Sequence, residues 1–398
     1  MPDRISRITL KPRRARPFFA RHPWVFVTSV ARVEGDPAPG DEVEVFSHEG
    51  QFIARGLFNP KSAIRVRLYR WDDGPLNPDF WSDKLDAALR LRTETLRLPG
   101  PSAAYRVVSS EGDGLSGLTV DRYDRWLVVQ FSSLALHGRG DAIVADLLEK
   151  TGAEGAVVRV DRSTAEREGM IGESPTIVGD VPTSPVEIVE HGLTYWVDVR
   201  GGQKTGFFLD QRENRRVVAG HCAGKRVLDL YTYTGGFALN AAKPGGAAEV
   251  VGIDSSSTAV EVATHHATLN GVSNARFERG DALSRLDEYR SRGERFGVVV
   301  CDPPKFARSA RGVEDALKAY LTLNRAAVEV VEPGGILVTC SCSGSVDRGL
   351  FADVLGQVSE LSSRPIQILE QRGQAPDHPV SASCLETEYL KCFVCRVI

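Results

Sequence analysis

From Lys225 onward, short apolar strands alternate with amphipathic helices. The strands are Arg226-Val227-Leu228-Asp229-Leu230, Glu249-Val250-Val251-Gly252-Ile253-Asp254, Ala275-Arg276-Phe277-Glu278, Gly297-Val298-Val299-Val300-Cys301-Asp302 and Gly335-Ile336-Leu337-Val338-Thr339. Five buried strands separated by helices predict an α/β domain with a doubly wound, Rossmann-like parallel sheet, because each parallel crossover needs a helix and the helices cover both faces. In such a sheet ligands sit beyond the carboxyl ends of the strands, near the switch in strand order. The polar residues at those ends therefore carry the chemical reading.

The first strand runs into Asp229-Leu230-Tyr231-Thr232-Tyr233-Thr234-Gly235-Gly236-Phe237, a turn whose glycines admit close backbone approach before a helix. It is not G-x-G-x-x-G, which disfavours a nicotinamide dinucleotide. Asp254 ends the second strand, where it suits both hydroxyls of a ribose, and Gly280-Asp281 follows the third, suited to an adenine amino group. Any one of these acids also reads as a helix cap, since Asp254-Ser255-Ser256 is a good N-terminal cap. Together, three strand-end acids and Gly235-Gly236 point to an adenosine without phosphates.

The fourth strand ends in Asp302-Pro303-Pro304-Lys305-Phe306. Proline fixes φ, so this corner presents the Asp302 side chain and neighbouring carbonyls in set directions. Such corners hold a planar nitrogenous substrate beside the sulfonium methyl of S-adenosylmethionine. The fifth strand ends in Thr339-Cys340-Ser341-Cys342-Ser343-Gly344. Buried cysteines are commonly inert, and that reading suits Cys222 and Cys301. Cys340 and Cys342 stand where the substrate belongs. A thiolate that attacks carbon 6 of cytosine turns the ring into an enamine whose carbon 5 accepts a methyl group, and a polar, partly exposed site favours the thiolate. A zinc site joining these two to Cys392 and Cys395 is disfavoured, because an odd separation along a strand sends the latter pair to opposite faces. No metal is expected.

At roughly 150 residues per domain, 398 residues imply two or three domains. Residues from about Ile5 to Trp71 alternate as strands, and a turn-rich stretch places a boundary near residue 75. A helix over Phe80 to Leu98, with Leu85, Ala88, Leu89 and Leu91 at helical spacing, opens a mixed α+β block, and prolines 175, 182 and 185 end it near residue 185. Domains at 1–72, 73–185 and 186–398 result. Net charge is only −3, yet Arg4 to Arg21 holds seven basic residues and no acidic one, so Arg13, Arg14, Arg16 and Arg21 are candidates for polyanion contact or a solvated basic arm. All seven cysteines lie at or after Cys222, which reads as reduced thiols rather than a disulfide framework. No apolar run is long enough to cross a bilayer and no signal peptide is recognisable, so a soluble, cytoplasmic protein without membrane contact is expected.

Longer strings sharpen this. Arg21-His22-Pro23-Trp24-Val25-Phe26, Gly112 through Arg122 (GDGLSGLTVDR), Lys204 through Asn214 (KTGFFLDQREN), Tyr233-Thr234-Gly235-Gly236-Phe237, Asp302-Pro303-Pro304-Lys305-Phe306, Ser341-Cys342-Ser343 and Asp377-His378-Pro379 occur in one chain. In this combination the chain resembles the bacterial 23S ribosomal RNA cytosine-5 methyltransferases of the large-subunit methyltransferase I type, over nearly its whole length. The resemblance implies a PUA domain to about residue 72, an α+β middle domain and a class I S-adenosylmethionine-dependent domain. It implies one cytosine of 23S ribosomal RNA as substrate and Cys342 as the nucleophile, because the matching motif carries its cysteine there. Asp302 would hold the cytosine edge through N3 or N4, and Lys305 would contact the base or a phosphate. Other RNA cytosine-5 methyltransferases carry a second cysteine where Lys305 stands. Cofactor contacts fall to Asp229, Tyr231, Thr234, Gly235, Gly236, Asp254, Asp281 and Asp302, with Gln211 and Arg212 at the cofactor mouth. A homodimer is compatible with this reading. Competing readings are a methyltransferase for purine N7 or adenine N6, which needs no thiol, and an RNA-binding assembly protein with a vestigial cofactor site.

Overall fold

The computed structural model describes residues 5–98, 103–170, 175–202, 205–307 and 312–398. Arg4 and Lys204, singled out in the sequence, lie outside them. The chain divides into two compact units. One comprises Met1–Ile188, Val197–Leu209 and Pro376–Thr387, and the other Val189–Trp196, Asp210–Ala375 and Glu388–Ile398.

The first unit holds two sheets. A six-stranded sheet is ordered Trp24–Phe26, Ile64–Arg70, Phe52–Phe58, Glu42–Phe46, Ser6–Leu10, Val30–Glu34. Its alternation buries Ile8, Leu10, Val25, Val43, Val45, Val66 and Leu68 on one side, the period of two that a half-buried strand requires. A five-stranded sheet is ordered Thr176–Gly179, Gly155–Val160, Trp126–Phe131, Leu118–Tyr123, Ala104–Ser109, and the helices Pro78–Arg90 and Gly140–Thr151 pack on it through Trp81, Leu85, Ile143 and Leu147.

The helix expected over Phe80 to Leu98 stops short. Its α-helical part ends at Arg90 and a wider π-type turn covers Leu91–Thr95. That turn takes Arg92 inward, where its guanidinium donates to both oxygens of Asp113 (2.6 and 2.9 Å) and to the Asp377 carbonyl (2.5 Å). A buried arginine needs such partners, and the helix gives up regularity to supply them.

The second unit is built on a seven-stranded sheet. Its strands are β1 (Arg226–Leu230), β2 (Glu249–Asp254), β3 (Ala275–Arg279), β4 (Phe296–Cys301), β5 (Val331–Ser341), β6 (Ile366–Arg372) and β7 (Lys391–Val397), in the order β3-β2-β1-β4-β5-β7-β6. The first five are parallel, as expected, and β7 inserts antiparallel between β5 and β6. The five parallel strands and the terminal strand carrying Cys392 and Cys395 were legible; β6 was not. Its helices include α1 (Arg212–Ala219), α2 (Gly236–Ala242), α3 (Ser257–Leu269), α4 (Ala282–Ser291), α5 (Val313–Val330) and α6 (Arg348–Ser362). Successive strand residues alternate between two cores: Leu228, Leu230, Val299 and Leu337 pack with α5 and α6, while Val227, Val298, Val300 and Val338 pack with α1 and α2. The order reverses between β1 and β4, which opens the ligand crevice at their carboxyl ends. Among the described residues no helix is long and apolar enough to cross a membrane.

Candidate active site

The turn after β1 is held from inside. Asp229 is buried, and its Oδ2 accepts from the Thr232 hydroxyl (2.6 Å) and the Ala238 N–H (3.0 Å). Burial pushes its carboxyl up to about 7, against those two hydrogen bonds and with the help of nearby Asp302 and Asp254. The turn it clamps is contorted: Tyr231, Tyr233 and Gly235 have φ of 62°, 50° and 85°. Non-glycine residues in this left-handed region carry strain of the kind that clusters at ligand sites. At Gly235, with its positive φ, a Cβ would lie 3.1 Å from the Phe277 ring, so that position suits glycine; at Gly236 a Cβ would lie 3.1 Å from Arg215 Cδ, a tight approach that the arginine side chain would have to yield to. Tyr231 is half-buried and Thr234 is buried, with the Thr234 carbonyl held by His266 Nδ1 (2.9 Å).

Asp254 takes one backbone N–H on each oxygen, from Tyr233 (2.9 Å) and Ser256 (2.9 Å). It thereby ties the turn to the start of α3, whose cap is Ser256. Asp281 caps α4 by accepting from the Ser284 N–H (3.0 Å). Of the capping role foreseen for these acids, Asp281 fills it, whereas Asp254 leaves the cap of α3 to Ser256; each carboxylate still keeps lone pairs for a ligand.

Asp302, half-buried after β4, accepts from Gln211 Nε2 (3.0 Å). Gln211 Oε1 accepts in turn from Asn214 (2.6 Å), whose own oxygen accepts from Arg372 (2.9 Å). Gln211 is thereby joined to Asp302 and, through Asn214, to Arg372. Arg212 pairs with Glu213 (3.2 Å) and its carbonyl meets His191 Nε2 (3.1 Å). Lys305 is exposed.

β4 and β5 lie in parallel register with Cys301 opposite Thr339, so the Asp302 corner and the Cys340 to Ser343 segment leave adjacent strands side by side. Ser343 stitches them together: its hydroxyl accepts from the Ala307 N–H (3.1 Å) and shares a hydrogen bond with Tyr320 (3.2 Å). Cys340 is buried beside Cys392, its opposite in the β5/β7 pair, and burial together with that neighbour holds its thiol well above the usual range. Cys342 is only partly buried, whereas the other six cysteines are buried. Burial pushes Cys222, Cys384 and Cys395 up to about 12. Cys392 and Cys395 do face opposite cores.

Three site features escaped the sequence reading. His266 bridges the Thr234 carbonyl and the Trp196 N–H (2.8 Å to Nε2), and the buried pair Arg215 and Glu190 lies under Gly236. Lys391 is buried on β7 with its Nζ on the Ser343 carbonyl. A strand-end acid carries a local signal; these three act through partners 25 to 70 residues away.

In the first unit His22, Cys384 and Glu386 cluster within 4.8 Å of one another. His22 Nδ1 accepts from the Trp24 N–H (3.2 Å), which leaves the ring proton on Nε2, facing Glu386 at 3.4 Å. That tautomer makes Nε2 a donor, not a metal ligand. Arg13, Arg14, Arg16 and Arg21 are all exposed on the N-terminal sheet module and make no ion pair among the described residues, with exposed Phe19 and Phe26 in the same segment.

Whether an adenosyl group fits turns on two orphaned atoms. Asp229 Oδ1 and Thr234 Oγ1 are buried without a hydrogen-bond partner among the described residues, a cost of about 1–3 kcal/mol each unless a ligand supplies one. With the Asp254 lone pairs and the glycine approach at 235 and 236, these are the groups a ribose and a methionyl moiety require.

Comparison with known proteins agrees. Residues 8–71 match the PUA-like domain family, and residues 174–384 match the S-adenosylmethionine-dependent methyltransferase family. The chain is 41% identical to the ribosomal RNA large subunit methyltransferase I of Photobacterium profundum, over 95% of this chain and 96% of that one. It is 40% identical to the same-named protein of Aeromonas salmonicida, over 96% and 97%. Two solved structures share the fold: a methyltransferase complexed with SAH (TM-score 0.85, 20% identity, 99% of this chain and 100% of that one) and an S-adenosylmethionine-dependent methyltransferase from Streptococcus mutans (TM-score 0.84, 19% identity, 99% and 100%). The chain therefore belongs to the ribosomal RNA large subunit methyltransferase I family, and is an S-adenosylmethionine-dependent methyltransferase.

Proposed function

We propose that this enzyme methylates carbon 5 of one cytosine in 23S ribosomal RNA through a covalent bond to Cys342. The observation that carries the proposal is the placement of the single incompletely buried cysteine at the carboxyl end of β5, beside the Asp302 corner. The relatives' name supplies the substrate class.

The residues divide the work. Asp229, Thr234, Gly235, Gly236, Asp254 and Asp281 would hold the cofactor, with Tyr231 and Arg212 at its edges. S-adenosylmethionine, when bound, supplies an electrophilic methyl on a sulfonium. Asp302, oriented by Gln211, accepts from the cytosine N4 amino group and fixes the ring. The Cys342 thiolate bonds carbon 6, and the electron pair of the 5,6 double bond is displaced into the ring, which leaves carbon 5 nucleophilic. After carbon 5 has gained the methyl, its proton leaves to water or a basic group. The pair left behind re-forms the double bond and expels the thiolate.

Lys305, exposed beside Asp302, suits a phosphate or the base edge. The 1–72 module would grip the RNA backbone through Arg13, Arg14, Arg16 and Arg21, offsetting the few kcal/mol needed to unstack the target. The 73–185 domain links it to the catalytic domain, 186–398. Work on ribosomal RNA implies a cytoplasmic setting.

Incubation with labelled S-adenosylmethionine and unmodified 23S ribosomal RNA, followed by nucleoside mass spectrometry, tests the specificity. The label is expected in 5-methylcytidine. Label in a methylated purine instead would sink the cytosine reading and leave the fold and cofactor standing.

A further inference from the structure

We infer that Lys391 is a positioning residue for Cys342: its buried ammonium holds that thiol in the thiolate form that attacks the base. The inference rests on the covalent reading of Cys342. Lys391 opens β7 opposite Ser341 of β5, and its Nζ reaches on to the Ser343 carbonyl (2.7 Å), so the side chain passes along the segment that carries Cys342. A second carbonyl, that of Tyr389, accepts another hydrogen bond from the same ammonium (2.9 Å). The residue is 1% exposed.

A buried ammonium calls for an anion, and two carbonyl dipoles do not neutralise it. Glu388 is the nearby carboxylate, but it is already engaged by Arg348 (2.5 Å). Among the described residues, the other group that can carry negative charge and acts on Lys391 is the Cys342 thiol. The groups facing Lys391 are Cys342 and Glu388, which favour its charge, and Arg348 and Lys305, which oppose it; Cys342 and Asp302 also act on Tyr320 of α5. Burial lowers the Lys391 ammonium to about 8, with Cys342 acting in the opposite direction, so it stays mainly charged at neutral pH. An adjacent cation in a low-dielectric site lowers a thiol's pKa. On ionisation the sulfur–hydrogen bond breaks and the proton passes to water, while Lys391 keeps its own proton and makes no bond to substrate.

The test is the pH dependence of iodoacetamide alkylation at Cys342, read on its peptide by mass spectrometry in the full-length protein. In the wild type, half-maximal alkylation is expected at least one pH unit below the ordinary cysteine value of about 8.5. Lys391→Met should raise that midpoint by one unit or more and shift the pH profile of methyl transfer with it, while S-adenosylmethionine binding stays within threefold; Lys391→Arg should restore the low midpoint. A wild-type midpoint at 8.5 or above, or identical midpoints in wild type and Lys391→Met, overturns the inference. The wild-type measurement decides even if Lys391→Met fails to fold. Failure of the covalent reading is distinguishable, because Cys342→Ala would then still form 5-methylcytidine.

Discussion

Cys342→Ala is expected to lower 5-methylcytidine formation by about 10³-fold or more, while Cys340→Ala retains it to within about tenfold. Both thiols lie in one tripeptide, so the contrast isolates exposure and not proximity to the site. Cys340 points into the core shared with Cys392 and Val338, where burial keeps it protonated. Its loss removes packing. Cys342 lies past the last hydrogen-bonded residue of β5 and is the one thiol with solvent access. S-adenosylmethionine affinity should be unchanged in both variants, which separates loss of the nucleophile from loss of the fold. Equal activity of the two variants would remove the thiol from the mechanism.

The largest effect on stability is expected at Arg215. Its Nε and Nη2 donate to the two oxygens of Glu190 at 2.6 Å each, and the two side chains are 3% and 4% exposed. Arg215→Met strands the Glu190 carboxylate in the core beneath Gly236, at a cost of about 3–5 kcal/mol. The penalty comes from the orphaned charge more than from the lost bond. Arg215→Met with Glu190→Gln should therefore recover most of the loss, as read by urea unfolding of wild type, single and double variants. A double variant no more stable than the single one would show that the pair is not what matters there. Because Gly236 opens α2 against the Arg215 side chain, the single variant should also weaken cofactor binding.

Those two positions show how far a sequence reaches. The strands β1, β2, β4 and β5 were legible because each carries a run of mostly apolar residues that is buried between two helical layers. The acids at their ends were legible for the same reason, since a charge that closes such a run stands at the crevice. β6 was not legible: as the edge strand it buries no residue fully and is mostly exposed, carries Gln367, Glu370 and Gln371, and is interrupted by an irregularity between Ile368 and Glu370. β7 was visible as a strand, but nothing local shows that it runs antiparallel beside β5, and only that pairing sets Lys391 opposite Ser341 and its Nζ on the Ser343 carbonyl. In KCFVCRV the lysine looks like an exposed strand end. Likewise, His266 reads as one of two adjacent histidines on a helix, and its function as a clamp on the Thr234 turn exists only once Trp196 lies alongside.

The covalent bond itself is the most direct thing to measure. With 23S ribosomal RNA carrying 5-fluorocytidine, carbon 5 has no proton to release after methyl transfer, so the thiolate cannot be expelled and the enzyme stays joined to its substrate. After nuclease and protease digestion, mass spectrometry should find one modified peptide, with a methylated fluorocytidine on Cys342, formed only when S-adenosylmethionine is present. An adduct on Cys340, or methyl transfer to carbon 5 of unsubstituted RNA with no trapped adduct from the fluorinated RNA, would contradict the account.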